Sequence, residues 1–121
     1  MGAEYSSAVA KGATMQDAFG EAVRLASIDH GHAGYSGSLA EKNSATVHKV
    51  PRGFDPVQWV QMAERMMYPD ADDRAEAAEF AGDFLPVLMR LAAHLEGDKW
   101  GPAAAVKIAD GKWFFGGYCS S

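Results

Sequence analysis

The stretch AAAVKIADGKWFFGGY (103–118) limits what this chain can fold into more than any other. Asp110-Gly111 separates two alternating runs, and Asp-Gly is a preferred pair for a two-residue type I′ hairpin turn, in which both central residues take positive φ. With Ala109 opposite Lys112, Ile108 is expected across from Trp113 and Val106 across from Phe115, all four on one buried side. Lys107, Lys112 and Phe114 then face the other way. An aromatic on such a charged face covers either another element or another subunit.

Upstream, residues 3–10 hold Tyr5, Ser7 and Val9 on one alternation and read as a first strand. A helix follows, with Thr14 as N-cap and Asp17 in its first turn, where negative charge suits the dipole. Met15, Ala18, Phe19, Ala22, Val23 and Ala26 form its apolar stripe, and Gly31 is placed to close it. The runs YSGSLAE and ATVHKV are predicted as two short strands around a turn at Lys42-Asn43-Ser44, the second ended by Pro51.

Asp55-Pro56 supplies an N-cap and a first-turn proline for a second helix, with Trp59, Val60, Ala63, Met66 and Met67 inward. Tyr68-Pro69 stops it. A third helix is expected with Asp72 or Asp73 as cap and a break or kink at Gly82-Asp83. Pro86 fits the first turn of a last helix that runs to Glu96, with Leu88, Leu91, Ala92 and Leu95 inward and Gly97 as its stop. The whole chain, 1–121, reads as a single α+β domain: an antiparallel or mixed sheet of about five strands with three to four helices packed on one face.

An apolar fraction of 48% and a charged fraction of 22% fit a folded domain rather than a disordered one. No apolar run approaches the ~20 residues of a membrane span. One cysteine, Cys119, excludes an internal disulfide, and the absence of a secretory signal pattern leads to a cytoplasmic expectation. The net charge of −5 is uneven: residues 54–97 hold nine acids and three bases. Without a basic stripe, nucleic-acid binding is disfavoured.

Candidate chemistry lies in two turns. GHAGYSGSLAEK (31–42) spaces three glycines evenly, but it leaves a helix C-terminus, the wrong polarity for a phosphate cradle. Asp29, His30 and His32 are too few for a metal centre, and His48 and His94 add no diagnostic spacing. EGDKWGP (96–102) crowds Asp98, Lys99 and Trp100 into a turn where the indole should be buried or stacked. Brought together, the turns would form one polar-aromatic hollow of Tyr35, Ser36, Ser38, Glu41, Lys42, Lys99 and Trp100. Tyr35 and Trp100 would stack on a flat ligand, the lysines would meet negative charge, and the serines would supply hydrogen bonds.

GHAGYSGSLAEK, DKWGPAAAV (98–106) and FFGGYCS (114–120) resemble segments of a group of short proteins from phages, prophages and archaeal mobile elements. These carry a Gly-His-Gly-Gly-Tyr-Thr-Gly-like segment followed by Ile-Ala-Glu-Lys, and a late Asp-Lys-Trp-Gly-Pro. The likeness covers residues 1–45 and 98–121, with Ala33 and Ser38 departing from it. It implies a setting, antagonism of host defence by binding a nucleotide-type signal or a host protein, rather than a mechanism. The residues therefore point to a non-enzymatic binding protein without cofactor or catalytic metal, and open strand edges invite homo-oligomers. Two alternatives remain: a small hydrolase or transferase with Glu41 or His32 as general base, and an inhibitor presenting the acidic 70–83 face to a basic protein.

Overall fold

The computed structural model describes residues 2–30 and 37–120. The elements run β1 (Ala3–Lys11), α1 (Met15–His30), a 3₁₀ turn (Leu39–Glu41), β2 (Ala45–Val47), α2 (Pro56–Arg65), α3 (Ala71–Ala81), a 3₁₀ turn (Gly82–Phe84), α4 (Leu85–Glu96), β3 (Ala103–Ala109) and β4 (Lys112–Ser120). The class is α+β, with one mixed four-stranded sheet ordered β1-β4-β3-β2. The antiparallel β1–β4 and β3–β4 pairs form its body, and β2 lies parallel to β3. No described helix is long and apolar enough to cross a membrane.

Local signals place the helices. Asp55 caps α2 by accepting from the Gln58 N–H at 3.3 Å, and Thr14 accepts from the Asp17 N–H at 3.2 Å. α3 starts earlier than Asp72 or Asp73 would have it. Asp70 accepts from the Asp73 N–H at 2.7 Å while the Asp73 carboxylate accepts from the Asp70 N–H at 3.1 Å. This reciprocal box satisfies two free donors at once. The interruption expected at Gly82 is there, with Gly82 at φ 53°.

Three further expectations are corrected. The five-strand count falls to four because residues 39–41 turn as a 3₁₀ helix: Ser38 caps it, its Oγ accepting from the Ala40 N–H at 3.3 Å, and Leu39 is buried. The helices divide between both faces rather than sharing one. Ala8, Ala10, Ala103, Ala105, Phe115 and Cys119 pack against α1, whereas Ala104, Val106 and Phe114 pack against α2 and α4.

The hairpin register is the third. Gly111 (φ 68°) takes a left-handed conformation but Asp110 does not, so the turn is not type I′. A negative φ followed by a left-handed glycine goes with a one-residue bulge, found here between Lys107 and Ala109. Val106 then pairs with Phe114 and Ala105 with Phe115. One extra residue moves Phe114 from the expected charged face into the core, where it is 6% exposed. With both faces covered, the run Trp113-Phe114-Phe115 buries aromatics on each.

Small residues let the helices sit close. Leu95 of α4 packs directly on the backbone of Gly116, where a Cβ would lie 3.0 Å from the Leu95 Cδ2 and 2.8 Å from the Phe114 ring.

Candidate functional site

Of the two turns singled out in the sequence, the structure joins Lys42 to the 98–101 loop. The Leu39–Glu41 turn, anchored by Leu39, aims Lys42 beneath the turn that follows α4. Its Nζ donates to the carbonyls of Gly101 at 2.8 Å, Lys99 at 3.1 Å and Asp98 at 3.4 Å. An ammonium has three protons, and three carbonyls face it. Burial pushes its pKa below the usual lysine value, while Cys119 and Asp98 act the other way. Lys42 therefore ties the loop down, two of its protons held at 2.8 and 3.1 Å and the third turned toward the Asp98 carbonyl.

The loop is closed by the Gly101 N–H to the Asp98 carbonyl at 3.0 Å and by the Trp100 N–H to the Asp98 carboxylate at 2.9 Å. Lys99 donates to the Gly2 carbonyl at 3.0 Å and lies 5.4 Å over the Trp100 ring. Trp100 is 64% exposed, so the indole is stacked under a cation rather than buried. Ser38 is buried as a cap, and Glu41 is half-buried beside the same turn. Tyr35 and Ser36, and the alternative base His32, lie outside the described residues.

Sequence reasoning missed a second region. Beyond β2 the chain continues its pairing for one more residue, the His48 N–H donating to the Ala105 carbonyl at 2.8 Å. It then turns through Pro51-Arg52-Gly53-Phe54, closed by the Phe54 N–H to the Pro51 carbonyl at 3.4 Å. Gly53 sits at φ 97°, as the third position of a type II turn requires, and this puts Arg52 at the corner. The segment walls a cleft of about 420 Å³ with Lys49, Arg52, Lys107, Phe54 and Trp113 around it. Among the described residues no carboxylate lines it. On the other side of the same segment, a hollow of about 240 Å³ is lined by His48, Lys49, Trp59 and Arg90. Lys107 stands 3.8 Å from exposed Asp110, whereas Lys49 and Arg52 have no ion-pair partner among the described residues. The indole N–H of Trp113 is buried without a hydrogen-bond partner among them, a cost of about 1–3 kcal/mol where a donor stays unmet.

Two histidines 46 residues apart meet here. His48 Nε2 lies 2.7 Å from His94 Nδ1, and His94 Nε2 lies 2.8 Å from the Pro102 carbonyl. A carbonyl only accepts, so the His94 Nε2 carries hydrogen and its Nδ1, in the neutral ring, accepts from the His48 Nε2–H. That leaves a lone pair on the His48 Nδ1, with no hydrogen bond to it among the described residues. Burial, then His94 and Arg90, hold the His48 pKa below the usual histidine value. The sequence signal was HKVPRG, a histidine and two cations in six residues bracketing a proline.

The acidic middle is partly spent on itself. Arg65 of α2 meets Asp73 at 2.7 Å and Glu76 at 2.8 Å, while Asp70 and Asp73 serve the cap. Cys119 is buried, and burial pushes its thiol pKa up, which suits a core residue rather than a nucleophile. Comparison with protein-family models, curated proteins and solved structures gives no match.

Proposed function

We propose that this protein is a small non-enzymatic binding protein whose cationic cleft takes a phosphate-bearing ligand of nucleotide type. One observation carries the reading: Lys49, Arg52 and Lys107 converge on a cleft that no carboxylate of the described residues lines, in a chain whose net charge is −5. A cleft of about 420 Å³ falls within the range of small-molecule sites, roughly 300–1,000 Å³. Phe54 and Trp113 supply apolar surface for a base, and the cations supply charge-assisted hydrogen bonds for phosphate. The resemblance to phage and mobile-element proteins supplies the setting, sequestration of a nucleotide signal used in host defence.

Titration calorimetry against mononucleotides, cyclic dinucleotides and the matching nucleosides tests this. Nucleotides should bind and nucleosides should not, and Arg52→Ala should weaken binding about 10-fold or more, the worth of one charge-assisted bond. Equal affinity for nucleosides, or no binding across the panel, would overturn the reading.

The His48 lone pair favours a second reading, a hydrolase acting on the same ligand. In that reading His48 would serve as general base, in the role the sequence offered to Glu41 or His32. Product formation that disappears in His48→Gln, with binding retained, would select it.

A further inference from the structure

The two edges of the sheet are unlike. β2 is three residues long and is followed by Pro51, a short edge of the kind that resists pairing. β1 is nine residues long, pairs with β4 without a register shift, and contains no proline. Its outer side faces no strand among the described residues. Its charges stand only near the ends, Glu4 and Lys11, around a centre of Ser6, Ser7 and Ala8.

From this edge we infer that β1 is a self-association strand, pairing antiparallel with β1 of a second copy to join two four-stranded sheets into one. The backbone parity suits it. The Gly12 N–H donates to the Gly111 carbonyl at 3.0 Å, so even-numbered residues of β1 turn their N–H and C=O groups toward β4. Ala3, Tyr5, Ser7, Val9 and Lys11 turn theirs outward. A two-fold axis at Ser7 sets Ser7 opposite Ser7, Val9 opposite Tyr5 and Lys11 opposite Ala3, with outward groups facing outward groups throughout. Small side chains, Ser6, Ser7 and Ala8, stand at and beside the axis.

Charge favours the direction. Antiparallel pairing carries the Glu4 end of one strand to the Lys11 end of the other, with the two side chains on opposite faces of the sheet, and parallel pairing would bring like ends together. The strand is thus complementary to itself, as an isologous two-fold contact requires. Apolar side chains flank it on both faces. Val9 is 51% exposed, and it borders one groove with Leu25 of α1 and another with Val57 of α2. An added strand would lay alternate side chains into these two grooves.

The test uses charge at the axis. The wild-type chain, examined by sedimentation up to millimolar concentration, should weigh twice 12.9 kDa. Ser7→Lys and Ser7→Glu, each changing an exposed side chain, should each be monomeric because like charges meet at the axis. An equimolar mixture of the two should regain the dimer mass. Amide exchange should be slow at Ser7 and Val9 in the dimer and fast in either variant alone. A wild-type monomer throughout, or a Ser7→Lys variant that keeps the dimer mass, would overturn the inference.

Discussion

Replacing Lys42 with Met keeps an unbranched stem of similar length and removes the ammonium. Three hydrogen bonds are lost, at 2.8, 3.1 and 3.4 Å, the last too long and weak to count for much. Two charge-assisted bonds at about 1.5 kcal/mol each give roughly 3 kcal/mol. Relief of the ammonium's desolvation returns part of this, as does water reaching carbonyls on an exposed turn, which leaves a net loss of about 2 kcal/mol. With a urea slope of about 2 kcal/mol/M, the unfolding midpoint should fall by roughly 1 M. Amide exchange at Trp100 and Gly101 should accelerate more than exchange in β4, because the turn loses its tether directly. A midpoint shift below roughly 0.3 M would refute the reasoning: the turn would then be held by its own Asp98 hydrogen bonds, with the lysine merely nearby.

Two further outcomes follow from the packing and the histidine pair. The His48 pKa is lowered on folding, so below the ordinary value near 6.5 the unfolded chain takes up a proton that the folded chain refuses. Stability should therefore be complete above that pH and decline as pH falls from it toward the depressed folded value, by at most about 1.4 kcal/mol per pH unit for one proton. His48→Gln should flatten that part of the urea-midpoint profile, and an unchanged slope would argue against the pair. Gly116→Ala places a methyl group against Phe114 and Leu95, at 2.8 and 3.0 Å before relaxation. Both contacts are side chains that can shift, so a loss of about 1–3 kcal/mol is expected by thermal or urea unfolding, without loss of the fold.

Short-range chemistry was legible in the sequence. Thr14, Asp55, Gly82 and Pro86 act within one turn of themselves, so the helix starts and the break before α4 can be read from neighbours a few positions away. The caps also show the limit of such reading. Asp70, Asp72 and Asp73 are all chemically able to cap α3, and Asp73 even has Glu76 three residues on, so capping chemistry alone did not decide that Asp70 would be the cap.

The position of the β-hairpin turn was legible too, but its type and register were not. Whether Phe114 faces solvent or core depends on the bulge beside Ile108 and on a second layer of helices, neither of which alternation alone specifies. Lys42 under the 98–101 turn, His48 against His94, and three cations around one cleft each unite groups separated by long stretches of chain. The sequence by itself determined the helices, the first strand and the final hairpin, and their order, because hydrogen bonds within a turn are local. Only tertiary structure decided which polar groups share a site, because that depends on how the helices divide between the two faces of the sheet.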